Sequence, residues 1–294
     1  MASSTPTQPG TVLLLGGTGK VASRIAPLLQ AANIPSQIAS RSGSAPAGFT
    51  GVKFDWKDES TWAGALSASP PVSAVFIVAQ GVMDSVPTIQ AFIDLAVSRG
   101  VARFVLLSAT IIPEDGPMTG QVHRYLRELG DQGKISWGVL RPTWFQENFS
   151  EQEQHLRSLK DENKIYSSTG PGRIPWVSAS DIAGVGFAAL TAPEPPNRDY
   201  LIVGPDLLTY NELAETFASV LGRPITYHEL TEPELSARFQ SFGVPAEYAP
   251  VLAAADGFVR QGGEERTNGV VEEVTGRAPR RFRDFVEANR GVWS

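Results

Sequence analysis

Hydrophobic and polar positions follow two different periods along the first half of the chain. The apolar run at residues 11–15 predicts a buried strand, and apolar residues three or four positions apart between Val21 and Ala32 predict a helix. Similar runs predict strands at 36–39, 51–54, 73–78, 103–107 and 135–140, and helices at about 86–99 and 120–129. This alternation predicts an α/β fold, a Rossmann-like doubly wound parallel sheet.

The second half has a less regular pattern, with more turn and cap signals. These signals predict a helix that starts at Ser180-Asp181, a strand at 199–203, a helix capped by Thr209, an extended segment at 225–230, and helices that begin near Thr231 and Pro245. We expect residues 1–145 to form the sheet domain. Residues 146–294 are expected to be mostly a smaller C-terminal region that covers the substrate, with segments that return to the sheet.

Composition narrows the class of protein. The chain has 294 residues, 42% hydrophobic, with a net charge of −6 and a pI near 5.2, which argues against binding nucleic acid or an anionic membrane. Cysteine is absent, which excludes disulfides and thiolate chemistry. No apolar stretch approaches the ~20 residues that span a bilayer, and the first ten residues lack a signal-peptide pattern. We therefore expect a cytoplasmic protein without a membrane partner.

A glycine-rich turn follows the first predicted strand directly. Gly17, Gly19 and Ala22 satisfy G-x-G-x-x-G/A, the dinucleotide fingerprint, between a strand and a helix. Such a turn aims backbone N–H groups and the positive helix end at a pyrophosphate. A P-loop would need Gly at position 14 and Ser or Thr at 21, where the chain has Leu14 and Val21.

The end of the second predicted strand indicates which dinucleotide is bound. An NAD site has Asp or Glu there for the ribose 2′-OH, but this chain has Ser40-Arg41-Ser42 and no acidic residue before Asp55. Arg41 offers a permanently charged fork for a 2′-phosphate, and Lys20 could add a second cation. The hypothesis is NADP(H), and the alternative is that both residues are ordinary surface charges.

In open α/β sheets the ligand lies beyond the carboxyl ends of the strands, and that rule selects the candidate residues. The predicted cofactor contacts are Gly16, Thr18, Gly19, Lys20, Val21, Ser40, Arg41, Ser42, Asp55, Trp56, Ala79, Gln80, Ser108, Ala109, Pro142, Thr143, Trp144 and Phe145. The predicted substrate contacts are Met83, Thr110, Phe145, Asn148 and Trp176, and the catalytic candidates are His123, Trp144 and Gln80. The aromatic residues among them could equally be core.

The acid that ketone-reducing short-chain dehydrogenases use is missing. Those enzymes carry Tyr-x-x-x-Lys, but none of the six tyrosines here has a lysine four residues later. His123 lies on the predicted helix where that pair would stand. It could contact the substrate or the nicotinamide, and the alternative is a structural histidine. The three histidines show no metal-ligand spacing, so no metal site is expected, and there is no G-x-S-x-G motif.

Several segments together resemble one family. Residues 16–20, 54–56, 104–108, 140–149 and 204–210 are similar to those of the NmrA-like atypical short-chain dehydrogenases. Arg-Pro-Thr-Trp-Phe at 141–145, followed by Glu147-Asn148, is typical of the broad family. Gly-Pro-Asp-Leu-Leu-Thr-Tyr at 204–210 resembles the fungal festuclavine synthase and agroclavine dehydrogenase group of ergot-type alkaloid pathways.

The resemblance implies an NADPH-dependent oxidoreductase that reduces an iminium of a prenylated indole alkaloid. An iminium carbon needs only hydride, which agrees with the missing acid, and aromatic faces could hold the cation. Two alternatives stay open. Some relatives use bound NADP(H) to assist cyclisation of the Diels–Alder type, and NmrA itself is a non-catalytic redox-sensing regulator. Neither the specific alkaloid nor the stereochemistry nor the oligomeric state follows from the sequence.

Overall fold

The computed structural model describes residues 10–79 and 85–294, and the chain divides into two compact units. The first unit contains the chain up to Arg141 and returns for residues 182–201; the second contains 142–181 and 202–294. The first six strands are β1 (Thr11–Leu14), β2 (Ser36–Ser40), β3 (Thr50–Lys53), β4 (Val72–Val78), β5 (Arg103–Leu107) and β6 (Ser136–Pro142). All six lie where the apolar runs predicted them, within one or two residues.

These strands form one twisted sheet in the order β3-β2-β1-β4-β5-β6, and β9 (Arg198–Ile202) joins it beside β6. The neighbouring pairs among the first six are parallel. The order reverses between β1 and β4, and this switch point is where open α/β sheets bind ligands. The predicted Rossmann-like doubly wound sheet is therefore confirmed.

Helical segments connect most of these strands, whereas a loop at 41–49 joins the parallel pair β2 and β3. The connecting helices are α1 (Ala22–Ala31), α2 (Trp62–Ala65), α3 (Val86–Ser98) and α4 (Thr119–Asp131), with a 3₁₀ turn at Glu59–Thr61. Each long helix turns one apolar stripe inward, for example Ile89, Phe92, Ile93 and Ala96 of α3. A cluster of edge-to-face aromatic rings at Phe54, Trp56, Trp62 and Phe92 fills the core beside β3.

The returning segment of the first unit consists of most of α7 (Ala179–Thr191) and of β9. The Arg103 guanidinium of β5 donates to the carbonyls of Leu190 and Ala192, at 3.1 and 2.7 Å, and so ties the end of α7 to the sheet. The seven-stranded sheet thus contains a strand from the second half of the chain. The predicted division of labour, cofactor in the first part and substrate in the second, stays a prediction.

The second unit combines short strands with helices around its own aromatic core. Its remaining elements are α5 (Asn148–Glu151), α6 (Glu153–Arg157), a π-helical turn (Ser158–Glu162), β7 (Lys164–Ser167), β8 (Ile174–Pro175), β10 (Leu207–Leu208), α8 (Tyr210–Leu221), β11 (Thr226–Glu229), α9 (Glu232–Ser241), α10 (Ala249–Arg260), α11 (Val270–Thr275), α12 (Phe282–Ala288) and a 3₁₀ turn (Arg290–Trp293). β7 pairs with β11 in parallel, and β8 pairs with β10 in antiparallel orientation. No helix among the described residues is both long and apolar enough to cross a membrane.

Candidate functional site

The turn between β1 and α1 is built so closely that two positions require glycine. Gly16 has φ +60°, in the left-handed region. A Cβ on Gly17 would lie 2.4 Å from Cγ2 of Ile38 in β2, closer than atoms can approach. The N–H of Gly19 donates to the carbonyl of Gly16 at 2.8 Å and closes the turn. Local geometry therefore explains the first two glycines without reference to a ligand.

Gly19 differs from the other two glycines, because the fold leaves space around it. A Cβ there would meet only the Gly16 carbonyl, at 3.1 Å, and Gly19 is exposed. No described backbone carbonyl accepts from the amides of Thr18 and Val21, which precede the first turn of α1. These amides and the positive end of the helix can hold a phosphate that approaches the backbone at Gly19.

An open cleft of about 640 Å³ lies beside this turn in the first unit. It is lined by Thr18, Ser40, Arg41, Ser42, Ser44, Ala45 and Pro46. The Ser40 hydroxyl donates to the Ser44 carbonyl at 2.8 Å, and the Ser42 hydroxyl accepts from the Ser44 amide at 3.2 Å. These bonds fold the loop after β2 into a wall of the cleft.

Arg41 carries the positive charge of this cleft. Its side chain is exposed, and it makes no ion pair or hydrogen bond with any residue that the structure describes. An unpaired guanidinium beside serine hydroxyls and free amides is suited to a phosphate group. The structure thus brings together the glycine turn and the Ser-Arg-Ser segment that the sequence singled out. Ser44, Ala45 and Pro46 were missed, although the Ser-Gly-Ser run after Arg41 signals a turn there.

Two predicted contacts after β3 have internal roles. The Asp55 carboxylate accepts from the Lys57 amide at 3.0 Å and so closes a local turn. Trp56 is only 9% exposed, lies in the aromatic cluster, and donates its ring N–H to the carbonyl of Val78 at 3.2 Å. The burial favours a packing role for Trp56, and its predicted contact with the cofactor stays a prediction.

Further candidates follow β4 and β5. Ala79 is half-buried at the end of β4, whereas Gln80 and Met83 lie outside the described residues. The Ser108 hydroxyl shares a hydrogen bond of 2.8 Å with the Thr119 hydroxyl at the start of α4. Ala109 is half-buried, but Thr110 is buried. A substrate contact by the Thr110 side chain is therefore not supported in this structure.

His123 is packed inside the first unit and does not face an open surface. It is 3% exposed, its ring lies 5.4 Å from that of Trp137, and its Nε2 lies 4.0 Å from a carboxylate oxygen of Glu114. Burial lowers the pKa of His123, and the Glu114 carboxylate opposes that shift. This is the environment of a structural, neutral imidazole, so the geometry favours the structural alternative over the predicted catalytic role.

The segment after β6 belongs to the second unit. Pro142 and Thr143 are buried, while Trp144 and Phe145 are half-buried. The Thr143 amide donates to the carbonyl of Ile202 at 3.0 Å, and its hydroxyl donates to Oε2 of Glu264, also at 3.0 Å. The segment is therefore held by both its backbone and a side chain.

Trp176 requires a correction. It was predicted to contact substrate, but its side chain is 1% exposed. Its ring packs against Phe149 and Tyr210 at 5.1 and 5.6 Å in the core of the second unit. A side chain enclosed in this way cannot touch a substrate without rearrangement of the core, so Trp176 is a packing residue.

The side chains of Glu147 and Asn148 both form hydrogen bonds within the second unit. The buried Glu147 carboxylate accepts from the Ala179 amide at 2.7 Å and so binds the first turn of α7. Asn148 is half-buried, and its side-chain oxygen accepts from Gln152 at 3.0 Å. Glu264 was missed by the sequence reasoning. It stands 121 positions from its partner Thr143, and no local pattern marks it.

The NmrA-like family matches residues 8–285 of the chain. The chain is 44% identical over 287 residues to an agroclavine dehydrogenase of Claviceps fusiformis. The aligned region covers 96% of this chain and 98% of that protein. It is 42% identical over 289 residues to festuclavine synthase I of Penicillium roqueforti, covering 96% and 99%.

A solved structure gives the same fold. The triphenylmethane reductase of Citrobacter sp., crystallised in complex with NADP(H), superposes with a TM-score of 0.76. The match covers 95% of this chain and 99% of that one, at 19% identity. The family match spans most of the chain, and relatives above 40% identity align along nearly all of it, so the chain belongs to the NmrA-like family.

Proposed function

We propose that the chain is an NADPH-dependent oxidoreductase that reduces an iminium in a prenylated indole alkaloid. The observation that carries this proposal is the cleft of the first unit, in which the glycine turn and the unpaired Arg41 lie together. Relatives at 42–44% identity are named agroclavine dehydrogenase and festuclavine synthase, which supports the same class of reaction and substrate.

The residues of the cleft fit NADP(H). The open space at Gly19 and the amides of Thr18 and Val21 suit the pyrophosphate. Arg41, with the flanking hydroxyls of Ser40 and Ser42, suits the 2′-phosphate. Bound NADPH supplies the hydride that turns an iminium into a neutral amine. In the proposal, Ala79, Ser108 and Ala109 contact the cofactor at the ends of β4 and β5, and residues 142–145 contact its nicotinamide half.

The chain lacks the Tyr-x-x-x-Lys pair with which short-chain dehydrogenases protonate an alkoxide. The Tyr125 hydroxyl donates to Asp94, and burial, followed by this bond, raises the pKa of Tyr125 to about 12. Burial, with a hydrogen bond to Glu162, likewise raises the pKa of Tyr166 to about 12. A tyrosine acid would have its pKa lowered by a lysine, which no tyrosine here has at the usual spacing. An iminium acceptor removes the need for such an acid.

The half-buried Phe145 and Asn148 remain the candidate substrate contacts in the second unit. Aromatic faces attract a cation by about 0.5–2 kcal/mol, which suits the positive charge of an iminium. In this proposal the enzyme's contribution is to place the acceptor carbon and to exclude water, with no proton transfer in the hydride step.

Deuterium-labelled NADPH tests the proposed function. The purified protein is given NADPH with deuterium at both hydrogen positions on C4 of the nicotinamide, together with an iminium prepared from a prenylated indole alkaloid. We expect one deuterium in the amine product for each NADPH oxidised. A cyclised product without net oxidation of NADPH would instead support redox-assisted cyclisation. Tight binding of NADPH without any turnover would support a regulator.

The absence of a tyrosine acid is testable in the same assay. Each of the six tyrosines is changed to Phe, and turnover and substrate affinity are measured. We expect turnover within a few-fold of the wild type in every folded variant, because hydride transfer to an iminium needs no proton. A loss of ~10²-fold or more at one position, with both ligands still bound, would reveal a hidden acid and point to carbonyl reduction.

A further inference from the structure

A fully buried carboxylate lies against the segment that follows β6. Glu264 is 0% exposed and stands in the turn region after α10, outside any helix or strand. Burying a carboxylate is strongly unfavourable unless it is paired and hydrogen-bonded. The partners of Glu264 therefore indicate its role. One partner is Arg266, whose Nη2 lies 3.3 Å from Oε1. Thr143 is also a partner, and its hydroxyl lies 3.0 Å from Oε2.

The bond from Thr143 adds a side-chain attachment to a segment that is otherwise held by its backbone, for example by the Trp144 carbonyl, which accepts from the Val177 amide at 3.0 Å. Thr143 stands between the end of β6 and α5, and its amide already donates to Ile202 at 3.0 Å. The hydroxyl bond to Glu264 adds a second attachment through the side chain and so restricts rotation of the residue. A hydrogen bond to an ionised acceptor is about twice as strong as one between neutral groups. The carboxylate therefore suits the task of holding residues 142–145 in one conformation.

We propose that Glu264 is a positioning residue, which through Thr143 holds residues 142–145 in the conformation that receives the nicotinamide half of NADP(H). The inference rests on the proposed function, which assigns that half of the cofactor to this segment. Arg266 completes the arrangement by neutralising the carboxylate from the solvent side, since its own side chain is 35% exposed. The adenosine half is held elsewhere, at the cleft of the first unit.

Two ligands separate this role from a general loss of stability. NADPH contains the nicotinamide, whereas adenosine 2′,5′-bisphosphate contains only the adenosine half with its 2′-phosphate. Dissociation constants for both are measured by titration calorimetry on the wild type, Thr143→Val and Thr143→Ser. We expect Thr143→Val to weaken NADPH binding by about 3- to 10-fold, the value of one hydrogen bond, and to leave the bisphosphate unchanged. Thr143→Ser keeps the hydroxyl and should bind both ligands as the wild type does.

Matched variants complete the experiment. Thr169→Val removes another buried hydroxyl of the second unit, one bonded to Ser167 at 2.8 Å, and should leave both affinities unchanged. Glu264→Met combined with Thr143→Val should be no worse for NADPH than Thr143→Val alone, because both changes remove the same bond.

Each outcome decides either the inference or the proposed function. Equal weakening of both ligands, or equal NADPH affinity in the wild type and Thr143→Val, overturns the positioning role. A wild-type protein that binds neither ligand overturns the proposed function instead. If Thr143→Val does not fold, the comparison of Glu264→Met with the wild type on the two ligands gives the same decision.

Discussion

At the scale of single residues, one exposed side chain carries the choice between the two nicotinamide cofactors. Arg41 has no partner among the described residues, and no acidic residue stands beside it for a ribose hydroxyl. Its guanidinium is therefore free to bind the 2′-phosphate of NADPH. NADH has no 2′-phosphate and offers no such ion pair. Preference for NADPH over NADH should depend on this residue.

We predict that Arg41→Ala weakens NADPH binding by ~1.5–3 kcal/mol, roughly 10- to 150-fold, and changes NADH binding little. Dissociation constants for both cofactors, measured on both proteins, check this. Arg124→Ala is the matched control, because it removes an exposed arginine of α4 that pairs with Asp115 at 3.0 Å, outside the cleft. Equal wild-type affinities for NADPH and NADH would defeat the prediction.

Two neighbouring glycines should respond differently to the same change. Gly19→Val is expected to give a folded protein that does not bind NADPH, because the side chain would occupy the space for the pyrophosphate. Gly17→Val is expected to destabilise the fold itself, because its Cβ would lie 2.4 Å from Ile38. Circular dichroism, thermal unfolding and an NADPH titration distinguish the two. A folded Gly19→Val protein with normal NADPH affinity would show that the turn does not bind the pyrophosphate.

At the scale of helices and strands, local signals predicted the structure where they were complete within a few residues. β5 begins and ends at its predicted residues. α8 starts after Thr209, as predicted, and the Thr209 hydroxyl forms a capping box with Glu212. The two-residue strands β8 and β10 were not predicted, since they are too short to show a period. α10 begins at Ala249, four residues after the predicted Pro245.

In the candidate site, too, the predictable features are those that depend on residues close together in the sequence. The glycine turn and Arg41 were predictable because backbone conformation and charge there depend on adjacent residues. The burial of Trp176 and His123 was not, since it depends on packing among segments far apart in the sequence. An aromatic residue looks the same in the sequence whether it lines a pocket or fills a core. The partner of Thr143 was unpredictable for the same reason.

A buried carboxylate in α10 makes the stability of the second unit depend on pH. Asp256 is 6% exposed, and its carboxylate accepts from the Ser168 amide at 2.9 Å. Ser168 directly follows β7. Burial, aided by the nearby Glu232, raises the pKa of Asp256 to about 7, against the opposing effects of the Ser168 bond and Arg260. An acid whose pKa is raised by folding destabilises the folded state as it ionises. Stability is therefore expected to fall as the pH rises from about 4 to about 7.

Asp256→Asn is expected to remove this dependence and to raise the free energy of unfolding at pH 8 by a few kcal/mol, roughly 1.4 for each unit of pKa shift. Near pH 4 the variant and the wild type should be equally stable. Asn keeps the acceptor for the Ser168 amide. Urea unfolding across this pH range is the measurement, with the exposed Asp161→Asn as control. Parallel curves for wild type and Asp256→Asn would contradict the assignment.

At the scale of the whole molecule, the chain leaves the first unit at Pro142, returns to it at Ile182 and leaves it again at Ile202. The limits of the returning segment do not follow from the sequence, because a helix and a strand carry no mark of the sheet that they join. Of the proposed cofactor contacts, residues 16–21 and 40–46 belong to the first unit, and residues 142–145 belong to the second.

Hydrogen exchange followed by mass spectrometry maps these contacts along the whole chain. With saturating NADPH we expect slower exchange at residues 16–21, 40–46 and 142–145, because bound ligand covers their amides or reduces local opening. Adenosine 2′,5′-bisphosphate should protect residues 40–46 but not 142–145, since it lacks the nicotinamide half. The pairing of β7 with β11 should exchange equally with and without either ligand and serves as the internal control. Protection at 142–145 by the bisphosphate as well would mean that this segment responds to a global change, and no protection at 16–21 would remove the glycine turn from the proposed site.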